Sequence, residues 1–308
     1  MSSVSSQSNP SMEKPSCIPV KGREIQDARI DSSIWNKFTY RPDDIIVGSY
    51  PKSGTTWLQQ IAAMIVSEGD PDFSVSEISP WLEYRWPSEE MRLDALNMQV
   101  HRRIIKTHLP LDALPYSIMP KYLYIARDGR DVALSLHHHH KNLRANVYDR
   151  MNSVSYVGRN KIQAPTDSFH SYFQEWIEKD GHPYWSYWDN IESWWRFRKI
   201  NNILLVNYCD LQKDLCGEIR RIADFLGIII SDECMSRVLR MCSFDYMKAN
   251  GFRIAPFNGS LWINGHLSFF NAGRNGCWRG ILSSEQIQDY DQFSASRLGI
   301  DCASWLNR

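Results

Sequence analysis

Short apolar runs alternate with stretches of helical spacing along most of this chain. Residues 44–50 (DIIVGSY) form an apolar, β-branched run that predicts a buried strand. Residues 51–54 (PKSG) interrupt it, and residues 55–66 (TTWLQQIAAMIV) then carry helical spacing and good helix formers. Three more strands are predicted at 103–107 (RIIKT), 122–126 (YLYIA) and 203–208 (ILLVNY). A helix over 130–141 follows the third strand. An amphipathic helix over 218–226 follows the fourth and stops at Gly227. Strands that alternate with helices predict an α/β fold, with a central parallel sheet flanked by helices on both faces.

The pattern lapses in two places. Residues 1–19 are rich in Ser, Pro and Asn and predict a disordered tail before a single domain over 20–308. Residues 142–199 form a long insert between the third and fourth strands. Its middle is polar and irregular, and its end (YWDNIESWWRFRK) predicts an aromatic helix. Inserts of this size in α/β enzymes form lids or substrate walls.

Composition narrows the functional classes. The 308 residues hold 35 basic and 35 acidic side chains, a balance that argues against a general nucleic-acid or membrane-surface binder. No run of about 18 apolar residues occurs, so no membrane span is expected. Seven cysteines lie dispersed without CxxC spacing, which points to reduced thiols in a cytoplasmic setting. Twelve Trp and fourteen Tyr serve either as large core residues or as the walls of a pocket for a flat organic ligand. His137 to His140 continue a helix, and four successive residues cannot share one helix face, so a metal site is not expected there.

The strongest chemical signal is Tyr50-Pro51-Lys52-Ser53-Gly54-Thr55-Thr56-Trp57, set between a strand and a helix. A helix N-terminus offers unpaired N–H groups and positive dipole charge to an anion. Gly54 permits close backbone approach, Thr55 and Thr56 add hydroxyls, and Lys52 adds a full charge. Together they make a phosphate cradle, although a plain strand-to-helix turn with a Ser or Thr cap needs some of the same residue types. It is not a Walker A loop, in which Lys follows the glycines. Further candidates are Lys106-Thr107-His108 after the second strand, and Arg127 with Ser135 around the end of the third. A glycine-containing loop follows at Asn271-Ala272-Gly273-Arg274.

The segment 50–57 resembles the 5′-phosphosulfate loop of the cytosolic sulfotransferases, and the likeness runs in the same order from about Trp35 to Leu298. It implies that the chain is an enzyme moving a sulfuryl group from the donor PAPS (3′-phosphoadenosine 5′-phosphosulfate) to a hydroxyl or amine of a small-molecule acceptor such as an alkaloid or other natural product. PAP is released and no metal is needed. The likeness implies that His108 is the catalytic base, with Lys52 and Lys106 as the cations beside the transferring group. Arg127 and Ser135 match the family's 3′-phosphate site. Tyr208 and Ser243-Phe244 match its adenine contacts, with Cys242 in place of the usual Thr, and Trp57 would stack on the purine. The loop 270–279 resembles the family's Arg-Lys-Gly-x-x-Gly-x-Trp loop, but Asn271 and Ala272 stand where Arg and Lys usually are. Arg274 is the expected replacement charge.

Trp81, Glu83 and Tyr84 fall where the family places acceptor contacts. Glu83 raises a cationic acceptor such as an alkaloid, against the plainer expectation that it pairs with Arg85 or a backbone group. The segment 280–291 matches the family's dimerisation motif poorly, which leaves monomer or homodimer open. Two other readings compete: a P-loop-type nucleotide kinase, and a non-catalytic nucleotide-binding protein.

Overall fold

A computed structural model describes residues 18–153 and 162–308. Four parallel strands, β1 (Ile45–Ser49), β2 (Ile104–Thr107), β3 (Lys121–Ala126) and β4 (Ile203–Asn207), form one sheet in the order β2-β1-β3-β4. β1 pairs with both β2 and β3, so the chain moves first to one side of β1 and then to the other. In open α/β sheets such a switch point opens a crevice beyond the carboxyl ends of the strands, where ligands bind.

The strands read as continuous apolar runs because both faces are covered. On one face Ile45, Val47, Leu123, Ile125 and Val206 pack with Leu58 and Ile61 of the helix Thr55–Val66 and with Ile219 and Ile222 of the helix Leu215–Leu226. On the other face Ile46, Ile105, Tyr122 and Tyr124 pack with Leu136, Trp188, Ile191 and Trp194. Trp194 stacks on Tyr124 with ring centroids 4.8 Å apart. At the amino-terminal edge Arg103 donates twice to Asp44, at 2.7 and 2.6 Å, a buried pair that fixes the entry to β1 and β2.

The expected elements recur with shifted ends. The helix expected at 218–226 begins at Leu215, because the Asp214 carboxylate caps it by accepting from the Gly217 N–H. Tyr208, expected to end a strand, opens the short helix Tyr208–Lys213 after the Asn207 cap. The insert contributes the helices Ala145–Ser153, Phe169–Glu178 and Tyr187–Trp195. The tail expected to be disordered falls almost wholly outside the described residues, as does part of the insert's polar middle. Five of the tryptophans, among them Trp35 and Trp188, are fully buried. Six cysteines among the described residues are free thiols. Among the described residues no helix is long and apolar enough to cross a membrane.

Candidate active site

Four of the motifs singled out in the sequence sit at the carboxyl ends of the four strands. Lys52 to Trp57 follow β1, His108 follows β2, Arg127 follows β3 and Tyr208 follows β4. All of these except Ser53 line one cavity of about 230 Å³.

The turn after β1 is built for close approach. Lys52 (φ 69°) and Gly54 (φ 107°) both occupy left-handed backbone conformations. A Cβ on Gly54 would lie 2.7 Å from the Tyr208 ring and 2.9 Å from Ile125, so only glycine fits here. No side chain caps the helix Thr55–Val66, which leaves its first N–H groups without a side-chain acceptor. Thr55, Thr56 and Trp57 line the cavity. Ser53 does not: its hydroxyl is buried without a hydrogen-bond partner, and its N–H donates to the Tyr50 carbonyl.

Two lysines approach this turn. Lys52 Nζ lies 4.4 Å from the Phe269 ring centre, and Lys106 Nζ lies 4.9 Å from that of Trp81. Burial, then the positive charges of Arg127 and Lys106, pushes the Lys52 ammonium down to about 7. Burial pushes Lys106 down to about 8, with Glu83 acting in the opposite direction. Neither is comfortable as a cation without an anion beside it.

His108 is held on several sides. Its Nδ1 lies 2.9 Å from the Ser49 carbonyl, an acceptor only, so Nδ1 carries the proton and Nε2 carries the lone pair. Its carbonyl accepts from Asn190 Nδ2 at 3.0 Å, and Trp81 stands edge-on at 4.8 Å. Burial, aided by Lys106 and Lys52, holds the imidazole well below its usual range and therefore neutral.

Glu83 does not line the cavity, in contrast to the sequence expectation of an acceptor contact. It is fully buried beneath it. Its Oε1 accepts from Trp81 Nε1, Thr107 Oγ1 and the His108 N–H at 2.6, 3.0 and 2.8 Å, and its Oε2 accepts from Trp35 Nε1 at 3.0 Å. Four protein donors engage the carboxylate, so its hydrogen bonds go to the protein and not to the cavity. Arg85 turns instead to Asp31 and the Asp27 carbonyl.

At the other end, Arg127 stacks 4.4 Å over the Tyr208 ring and donates to Asn275 Oδ1 at 2.9 Å and to the Arg274 carbonyl at 2.7 Å. Asp131 lies 3.8 Å away and accepts from the Gly276 and Cys277 N–H groups, which ties the 271–277 loop to the helix Gly129–Lys141. Ser135, on that helix, lines the same cavity, as do Asn271, Ala272 and Gly273. Gly273 has φ 64°, and any Cβ there would run into the Phe244 ring. Arg274 departs from its expected role. Its side chain is exposed and does not line the cavity, and only its carbonyl takes part. Ser243 also stands off the cavity: it caps the helix Phe244–Ala249, and Phe244 alone of that pair lines the wall. Trp57 donates to the Cys242 carbonyl at 2.8 Å, which explains why a Cys can stand at 242: the backbone makes the contact.

The remaining wall is aromatic. Trp81 stacks on Tyr84 at 4.9 Å, and Tyr84 meets Phe257 at 5.1 Å. His139 stands edge-on to Trp262 at 5.0 Å, and Trp262 meets Phe269 at 5.0 Å. Leu143, Val147 and Met151 bring the insert to the same cavity. The four successive histidines diverge. His137 Nε2 meets the Thr166 carbonyl, His138 Nε2 the Ser268 carbonyl and His140 Nε2 the Tyr184 hydroxyl, while His139 and His140 line the cavity. Phe257, Trp262 and Phe269 were not singled out in the sequence. They lie in a stretch without strong periodicity, and only their meeting with Tyr84 and His139 in space reveals them.

A glycine turn before a helix, a neutral histidine and two lysines gathered at one switch point fit an α/β enzyme that transfers an anionic group. A family model described as "Sulfotransferase domain" matches residues 42–300. Sulfotransferase 2A6 of Rattus norvegicus is 29% identical, with 84% of this chain and 86% of that protein covered. Sulfotransferase 1B1 of Mus musculus is 30% identical, with 83% and 82% covered. Among solved structures, a mouse sulfotransferase complexed with PAP is similar with a TM-score of 0.68 at 25% identity, with 89% of this chain and 90% of that chain covered. A retinol dehydratase in complex with androsterone and PAP is similar with a TM-score of 0.65 at 28% identity, with 87% and 84% covered. The chain belongs to the sulfotransferase family.

Proposed function

We propose that the protein transfers a sulfuryl group from PAPS to a hydroxyl of a small, flat and largely apolar acceptor, releasing PAP. The observation that carries this reading is the placement of His108 Nε2, Lys52 and Lys106 on one cavity with the glycine turn after β1. The phosphosulfate lies on that turn, with Lys52 and Lys106 beside it. Arg127 and Ser135 face the 3′-phosphate, and the adenine lies among Trp57, Tyr208 and Phe244. PAP in the similar mouse structure supports the nucleotide assignment.

The transfer is in line. His108 Nε2 accepts the acceptor's hydroxyl proton as the oxygen bonds to sulfur, and the bond from sulfur to the bridging oxygen breaks. The lysines and the turn's N–H groups stabilise charge on the bridging and outer oxygens. Charge on the bridging oxygen is greatest as that bond breaks, so the lysines contribute most in the transition state.

The acceptor end is walled by Trp81, Tyr84, Phe257, Trp262 and Phe269, with Leu143, Val147 and Met151 of the insert as a further wall. Among the described residues Asp131 is the only carboxylate on the cavity, and it is engaged at the Arg127 end. A cationic alkaloid or amine therefore finds no counter-charge, and a neutral phenol or alcohol fits better. Androsterone bound in the similar retinol dehydratase is an acceptor-sized molecule of this kind. A screen of phenols, alicyclic alcohols and amines with sulfur-labelled PAPS tests the reading. Labelled phenol or alcohol sulfates are expected, and label on amines alone would overturn the acceptor assignment.

A further inference from the structure

The wall beside Arg127 carries little charge for a group as anionic as a phosphate monoester. Among the described residues four cations line the cavity: Arg29, Lys52, Lys106 and Arg127. Arg29 is bound to Asp27 at 2.6 Å and lies over Tyr184, 4.1 Å from its centre, on the acceptor side. Lys52 and Lys106 stand by Phe269 and Trp81, near His108. Arg127 alone remains for the other end. Its guanidinium already donates to two oxygens of the 271–277 loop, and Asp131 offsets part of its charge from 3.8 Å.

The adjoining residues add no charge. Asn271 presents an amide and Ala272 a methyl group. Arg274 is exposed off the cavity, and the Arg279 guanidinium packs 5.3 Å from the Trp278 ring centre, also exposed. Gly273 cannot be exchanged for a longer residue, because its φ and the Phe244 ring forbid a Cβ.

We propose that this donor site selects only shallowly for the 3′-phosphate and admits adenine 5′-nucleotides that carry a free 3′-hydroxyl. The proposal rests on the reading of the cavity as a PAPS site. A 3′-phosphate carries a charge of about −1.5 to −2 and here meets a single, partly offset cation. One charge-assisted contact of this kind is worth about a tenfold to hundredfold preference, and a second cation would multiply it by a similar factor.

Titration calorimetry of the full chain with PAP and with 5′-AMP, which differ only in the 3′-phosphate, tests this. PAP is expected to bind about tenfold to a hundredfold more tightly than 5′-AMP. Ala272→Lys is expected to raise PAP affinity about tenfold or more and to leave 5′-AMP affinity unchanged. A wild-type preference above about a thousandfold would overturn the inference, because it requires a second cation that the cavity wall does not offer. So would an Ala272→Lys variant that melts like the wild type and binds PAP no better. If neither nucleotide binds the wild type, the donor-site reading itself falls, and the inference falls with it.

Discussion

The main-chain N–H of His108 donates to Oε1 of Glu83 at 2.8 Å, and the same oxygen accepts the Trp81 indole N–H at 2.6 Å. One buried carboxylate thus holds both the residue proposed as base and the aromatic wall beside it. The hydrogen bond to Trp81 fixes the ring that stands edge-on to the imidazole and under the Lys106 ammonium. A shift of this carboxylate would move both His108 and Trp81.

Glu83→Gln tests that arrangement. The carboxylate only accepts, and all four of its partners donate, so an amide must turn its NH₂ towards at least one of those donors. A loss of about 1–3 kcal/mol of stability is expected, read as a lower midpoint in urea unfolding. Turnover should fall as well, since the His108 backbone loses its anchor. An unchanged midpoint would mean that the carboxylate is not needed to fasten these elements.

His108→Ala removes the lone pair proposed to take the acceptor proton. Turnover is expected to fall by about 10²-fold or more, with PAP affinity within a few-fold of wild type. A variant that keeps near-full turnover would remove His108 from the mechanism. Because burial and the two lysines keep the imidazole neutral, loss of activity on acidification through pH 6.5 should not come from this residue.

The affinity for PAP should depend on pH through Lys52. Its value in the free protein, about 7, lies below that of an ordinary lysine, so the amine is largely neutral at pH 8. A bound anion favours the ammonium and raises that value. Binding then takes up a proton between the two values, and affinity falls as pH rises through 7, by up to about tenfold per pH unit for one proton. Lys106, at about 8, adds to the fall at the upper end. Calorimetry in buffers of different ionisation enthalpy measures the uptake directly. No proton uptake at pH 8 would contradict this account.

Gly54→Ala should abolish tight PAP binding. The new methyl group would meet Tyr208 and Ile125 at 2.7 and 2.9 Å on a backbone already at φ 107°, so the turn must move. A stability loss of at least about 1 kcal/mol is expected from the backbone conformation alone. Wild-type PAP affinity in this variant would show that the turn does not hold the 5′ end.

The sheet and the phosphate turn were legible in the chain because their signals are local. The strand 45–49, the helix 55–66 and the Lys-Ser-Gly-Thr-Thr turn each follow from neighbouring residue types, and a parallel strand buried on both faces reads as one apolar run. The positions of Lys106, His108 and Arg127 at strand ends follow in the same way. What the sequence could not settle depended on side chains far apart along the chain. Glu83 looked like a charge for a ligand until Trp35, Trp81, Thr107 and the His108 backbone closed around it. Arg274 looked like a replacement cation until the loop's fold turned its side chain outward and left its carbonyl to Arg127. The aromatic acceptor wall joins residues from 81 to 269, and no spacing rule connects them. A charge in a sequence states only a capacity to bind. Burial and the partners gathered by tertiary packing decide whether that capacity is used within the protein or offered to a ligand.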